Sequence, residues 1–246
     1  MKSFDQAGIV AITRHGAELA ARLAGSMPRA TLVVAKPFAA SLPPVANPIQ
    51  AYTGPLRAQM GRVFSTHDPI VFMISVGAVV RLIAPYLRSK AEDPAVLVVD
   101  ESGKFVIPVL SGHQGGANAC AEQVAAWLGA IPVITTASDV GQTLAVDILG
   151  RELGWRIEAP KVNITRVSAH VINGAPVALV QEAGAPGWWT RPTPLPSNIR
   201  LFDRFEALDT KQFRGVLWVT RRAVPSFLWD TLAERLVVYR PPPGQN

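Results

Sequence analysis

The residues best suited to chemistry lie in one stretch, VIPVLSGHQGGANACAEQVAAWLGAIPVITTASD, residues 106–139. Ser111 and His113 stand two apart, so on an extended backbone they share a face. A serine nucleophile with a histidine base is one reading. His113 alone, as a base that activates water or an acid that protonates a leaving oxygen, demands less geometry. A structural hydrogen-bonder at a turn is the plain alternative. Gly112, Gly115 and Gly116 let the backbone approach a ligand closely, and N–H groups beside a helix start can cradle an anion. The pattern is neither a Walker loop nor G-x-G-x-x-G. Asn118 lies one helical turn past Gln114 and could face the same pocket. Thr135 and Thr136 offer hydroxyl donors. Asp139 could orient His113, bind substrate, or cap a helix beginning near Val140. Upstream, Gly77 opens a helix whose amino terminus favours an anion. Arg81, one turn in, sits among Val80, Leu82 and Ile83 and would need a carboxylate if buried. Arg88 and Lys90 could hold carboxylates or complement the helix dipole.

These groups need elements to place them. Val106–Leu110 and Ile131–Ile134 are apolar runs with a helical pattern between them, a βαβ signature whose ligands collect beyond strand carboxyl ends. All the candidates are therefore expected on one edge of one sheet. Gly8–Thr13, Ala30–Ala35 and Pro69–Ser75 read as further buried strands, and His15-Gly16 opens a helix between the first two. Ala95–Val99 and Lys104–Leu110 flank Asp100-Glu101-Ser102-Gly103, a hairpin that makes the sheet mixed, though mostly parallel. Residues 36–55 are punctuated by prolines and read as a loop. Pro85 should break the helix from Gly77, and Gln142–Leu153 should form another.

From Trp155 the texture changes. A helix at Asn163–Ile172, strands at Pro176–Gln181, Arg214–Thr220 and Arg235–Tyr239, and a short helix at Ser226–Glu234 give a smaller second α/β unit. The expected fold is a layered α/β/α domain over 1–154 and a smaller α/β domain over 155–246. Trp188-Trp189 could stack on a flat ligand or cap a core.

At 246 residues, 49% hydrophobic and 17% charged, the chain is globular. The net charge of +6 suits an anionic partner, but there is no Lys/Arg-dense run and no RNA-recognition or zinc-finger signature, so nucleic acid is not expected. The surplus is uneven: residues 151–246 hold 13 Lys+Arg against 8 Asp+Glu, and residues 1–150 hold 11 against 10. Cys120 is the only cysteine, which excludes an intrachain disulfide and a cysteine cluster. It is either a small core residue or a reactive thiol. His67 and His170 are isolated, with no metal-ligand spacing. No signal peptide or membrane span is visible, so a cytoplasmic location is expected.

The blocks GAVVRLIAP, DPAVLVVDESGKFVIPVLSGHQGGAN and PVITTASD together resemble the amino-terminal domain of CbiG, the cobalt-precorrin-5A hydrolase family of cobalamin biosynthesis. The resemblance is strong over residues 8–154. Residues 155–240, including Asn163 and NGAPV at 173–177, are more loosely similar to the central domain. Family members continue into a CobE-like carboxyl-terminal domain, so a separate CobE-like protein is an implied partner. The resemblance implies a corrinoid polycarboxylate substrate, opening of its δ-lactone and release of acetaldehyde. Cobalt would arrive inside the substrate, with no cofactor held by the protein. On that footing His113 is the acid/base, with Asp139 or Asn118 orienting it or the water. Backbone N–H groups at Gly115 and Gly116 would meet the oxyanion, and Arg81, with Arg88 or Lys90, would hold peripheral carboxylates. A homodimer is open. Two competing readings are a non-catalytic corrinoid carrier and, on the Gly-rich turn alone, a nucleotide-binding protein.

Overall fold

Runs of β-branched residues bury completely when helices cover both faces of a sheet, and the first half of the chain is built on such runs. A computed structural model describes residues 3–89, 92–113 and 115–244. Lys90 and Gln114, both named above, lie outside the described residues. The chain divides into two units, Met1–Ile134 and Thr135–Asn246.

In the first unit the strands are β1 (Gly8–Ala11), β2 (Thr31–Ala35), β3 (Ile49–Tyr52), β4 (Ile70–Met73), β5 (Val96–Val99), β6 (Phe105–Leu110) and β7 (Ile131–Pro132). Their order across the sheet is β3-β2-β1-β4-β5-β6-β7. The first five strands run parallel; β6 is antiparallel to β5, and β7 follows β6 in parallel. The helices are α1 (Arg14–Ala24), α2 (Lys36–Ala39), α3 (Met60–Thr66), α4 (Val76–Ile83) and α5 (Ala117–Leu128). Alternate strand residues feed two cores. Ile9, Leu32, Val71, Leu97 and Val106 pack with α1 and α5, while Val10, Val33, Phe72 and Val98 pack with α3 and α4. The result is the expected three-layer α/β/α domain with a mixed sheet. Pro85 ends α4 as expected, in a 3-10 turn at Ala84–Tyr86.

Two expectations for this unit need correction. The proline-rich segment 36–55 is not simply a loop, for it contains α2 and the edge strand β3. Pro48 stands just before β3, where a missing N–H costs no ladder bond, and buried Asn47 anchors the approach by donating to the carbonyls of Met27 (2.7 Å) and Ala30 (3.0 Å). The candidates also do not share one edge. Because β6 is antiparallel to β5, Leu110 pairs with Val96, and Val96 in turn pairs with Ile70 at the start of β4. Ser111 onward therefore emerges at the amino-terminal edge of β4, whereas Gly77 follows its carboxyl end. The six residues of β6 set these edges apart by about 20 Å.

The second unit has α6 (Ala137–Val140), β8 (Arg156–Glu158), α7 (Lys161–Ile172), β9 (Val177–Gln181), β10 (Ile199–Phe202), β11 (Gly215–Val219), α8 (Ser226–Thr231) and β12 (Leu236–Arg240). The sheet order is β10-β9-β11-β12-β8, parallel except for β8. The long helix expected over Gln142–Leu153 does not form. The backbone turns left-handed at Gln142 (φ 48°) and Gly150 (φ 67°), leaving a 3-10 turn at Arg151–Leu153. Leu144, Val146 and Leu149 instead enter the second core beside Trp155 and Tyr239. Buried Tyr239 donates its hydroxyl proton to the Val146 carbonyl at 2.7 Å. These contacts pack residues 144–149 into the second unit, which begins at Thr135, ahead of the boundary that composition suggested near Trp155. Asn163 is buried and ties α7 to β12 by donating to the Leu236 carbonyl, 2.8 Å away. Among the described residues no helix is long and apolar enough to cross a membrane.

Candidate functional site

The loop between β6 and α5 is closed by its own backbone. Gly116 N–H donates to the His113 carbonyl (3.0 Å), Ala117 N–H to that of Ser111 (3.1 Å) and Asn118 N–H to that of Gly112 (3.1 Å). Its glycines are dictated by space. A Cβ on Gly115 would lie 2.2 Å from Ser111 Cβ, and one on Gly112 would lie 2.8 Å from Asn118 Oδ1. Gly116 adopts φ 80° as the residue preceding α5, a conformation glycine takes without strain. His113 is half-buried on this loop, and Asn118 is buried beneath Gly112.

This closure narrows the chemistry. Ser111, itself at φ 59°, donates its hydroxyl proton to the Asp93 carbonyl at 2.9 Å. That direction does not serve a Ser–His nucleophile pair. The amide of Gly116 is spent on the His113 carbonyl, which corrects its expected role as an oxyanion donor. Asp93 also braces the neighbouring turn, its carboxylate accepting the Arg88 N–H at 2.9 and 3.2 Å. The chain leaves the far edge at Gly77, runs back through α4 and brings exposed Arg88 to the edge that carries His113.

Two further groups on this edge gave no signal in the sequence beyond their residue type. His67 precedes β4, half-buried, with its ring 2.8 Å from where a Cβ on Gly8 would stand. Burial lowers its pKa, a backbone hydrogen bond with Gln6 opposes this, and nearby Arg62 adds to the lowering. Beside it, Asp68 accepts the Ala95 N–H at 2.9 Å. A reader could find them only by knowing the strand order.

Gly77 and Arg81 belong to the opposite edge. Arg81 is exposed and folds back on its own helix, Nη1 donating to the Gly77 carbonyl at 3.0 Å, so it requires no buried carboxylate. Close by, at the point where the strand order reverses between β1 and β4, Thr13 caps α1 by accepting the Gly16 N–H (3.0 Å) and donates its hydroxyl to Glu101 (2.8 Å).

Thr135, Thr136 and Asp139 belong to the second unit. Asp139 does not cap a helix: it lies inside α6, where Thr136 holds the capping position. Its carboxylate pairs with Arg191 at 2.8 Å. Trp188 and Trp189 pack against the second core and donate to Gln181 (2.7 Å) and to the Thr193 carbonyl (2.6 Å), which is the core-capping arrangement. Cys120 is buried in the first core. His15 is exposed beside Glu18. Among the described residues no three His, Cys, Asp or Glu side chains are grouped as metal ligands.

Comparison with known proteins bears on the same segments. Residues 58–139 match the family described as cobalamin synthesis G N-terminal, and residues 144–241 match the cobalamin biosynthesis central region. A cobalt-precorrin-5A hydrolase of Priestia megaterium is 40% identical over 233 residues, covering 95% of this chain and 62% of that protein. The cobalt-precorrin-5A hydrolase of Salmonella typhimurium is 33% identical over 185 residues, covering 75% of this chain and 48% of its own length. The chain thus spans about half to three fifths of these relatives. A solved cobalamin biosynthesis protein G homologue from Sulfolobus solfataricus shares the fold, with a TM-score of 0.50 at 18% identity over 97% of this chain and 61% of that one. Through its amino-terminal and central regions, the chain belongs to the cobalamin synthesis G (CbiG) family.

Proposed function

We propose that this chain carries the lactone-opening chemistry of a cytoplasmic cobalt-precorrin-5A hydrolase. The reading rests on one observation above all, the 40% identity to the Priestia megaterium enzyme across 95% of this chain. The substrate is a corrinoid polycarboxylate that brings its own cobalt, and the protein holds no cofactor. His113 takes a proton from water as the oxygen attacks the lactone carbonyl, and returns it to the alkoxide leaving the tetrahedral intermediate. The products of this stage are a ring acetate and a free hydroxyl on the bridging carbon. In the second stage that hydroxyl is deprotonated, its C–O bond becomes a carbonyl, and the carbon–carbon bond to the macrocycle breaks. Acetaldehyde leaves, and the bonding pair stays with the ring. Of the two groups considered for orienting His113 or its water, Asn118 lies in the first turn of α5, directly after that loop, while Asp139 pairs with Arg191. Arg88, exposed on the edge that carries His113, is the arginine we assign to a peripheral carboxylate.

The test is acetaldehyde release from cobalt-precorrin-5A by the purified chain, with and without an added CobE-like protein. Release by the chain alone supports a complete catalytic apparatus here; release only with the partner supports a divided one. A corrinoid that binds and remains unchanged in both mixtures would overturn the reading and favour a carrier.

A further inference from the structure

Independently of that reading, the second unit carries a cavity of about 420 Å³ lined by Arg166, His170, Arg214, Glu234 and Arg235. Arg166 and His170 are four apart on α7 and share a helix face. Arg214 and Arg235 immediately precede the adjacent parallel strands β11 and β12, whose pairing starts with Val216 N–H donating to the Arg235 carbonyl at 2.8 Å. The lining thus converges at the amino-terminal edge of the second sheet.

Its charge is unbalanced. Three guanidinium groups face one carboxylate, that of Glu234, which is paired with Arg166. Glu234 also holds a left-handed backbone, φ 62°, a conformation that a non-glycine residue rarely adopts. Arg235 is fixed by donating Nη1 to the carbonyls of Thr210 (3.3 Å) and Phe213 (3.0 Å), neither of which neutralises it. The basic surplus of residues 151–246 is in part gathered here. The volume falls in the range of small-molecule sites, roughly 300–1,000 Å³, and is too small for a whole tetrapyrrole.

We propose that this cavity binds a small, doubly charged oxyanion, an organic phosphate or a dicarboxylate, through Arg166, Arg214 and Arg235. Isothermal titration of the full chain at low salt, with inorganic phosphate and with succinate as separate probes, tests it. Saturable one-site binding is expected for at least one probe; phosphate alone would point to a phosphoryl ligand, and succinate alone to a dicarboxylate. Arg214→Gln, with folding checked by circular dichroism, is expected to weaken binding roughly tenfold, the loss of one charge-assisted contact. Glu234→Gln is expected to tighten it severalfold, because it removes the competing carboxylate, an effect that a merely structural role would not produce. Arg29→Gln, in the first unit, should change nothing. No saturable binding of either probe, indifference to Arg214→Gln, or no tightening in Glu234→Gln would overturn the proposal.

Discussion

Substituting Gly115 by alanine probes the loop on which His113 sits. Gly115 does not occupy the left-handed region, so the substitution tests space rather than backbone conformation. The added Cβ would stand 2.2 Å from Ser111 Cβ and 2.7 Å from the Ser111 carbonyl oxygen. Neither atom belongs to a flexible side-chain end, so the loop must open. Opening removes the Ala117 N–H bond to that carbonyl, worth about 1 kcal/mol, and relieving the overlap costs about 1–3 kcal/mol. The expected total is roughly 2–4 kcal/mol of local stability. Helix α5 itself should survive, since its buried face from Cys120 to Ala125 lies beyond the clash. Hydrogen–deuterium exchange resolves this directly. The amides of Ala117 and Asn118 should exchange tens to hundreds of times faster in Gly115→Ala, while those of Val124 and Ala125 keep their protection. Unchanged exchange at Ala117 would refute the claim that the glycine is required by packing.

Three other outcomes follow from particular contacts. The pKa of His67 is lowered by burial, so its neutral form is the one the fold favours; its contribution to stability should be complete above about pH 6.5 and be lost as pH falls through the folded-state value. His67→Gln should flatten that part of a urea-midpoint profile measured from pH 7.5 to 5. Tyr239→Phe leaves the Val146 carbonyl without the 2.7 Å bond it accepts and should cost about 1–2 kcal/mol, read as a lower denaturation midpoint for the second unit. Gly150→Ala puts a Cβ 2.0 Å from the ring of buried Trp155 at a φ of 67°; it should destabilise that unit by about 2–4 kcal/mol, again by denaturant titration.

Much of the fold is legible in the residues. GIVA, IVFM and VLVV are uninterrupted apolar runs because their strands are covered on both faces, and burial on two sides leaves the same signature wherever it occurs. Strands β3, β8 and β10 were not legible. Each lies at a sheet edge, is short, and has at most one buried residue, so its apolar signal is weak. The segment 142–153 has a helical composition, but Gln142 and Gly150 turn it into a set of anchors for the second core.

The site was legible in its residue types more than in its geometry. Ser111, His113 and the three glycines do form one closed loop. Spacing carries no strand direction, however, and the reversal at Asp100–Gly103 takes that loop to the edge opposite Gly77 and Arg81. The same reversal brings Arg88, His67 and Asp68 to the edge of His113, a proximity that no local motif announces. Hydrogen-bond direction is likewise invisible in sequence, and it is what turns the Ser111 hydroxyl toward Asp93 and spends the Gly116 amide.

The central claim, that His113 moves the protons of lactone opening, is tested most directly by His113→Ala and His113→Gln assayed on cobalt-precorrin-5A with a CobE-like protein present. Corrinoid binding, followed by its absorbance spectrum, should be retained, while the turnover number falls by about 10²–10⁴. Turnover equal to that of the unmodified chain would contradict the account.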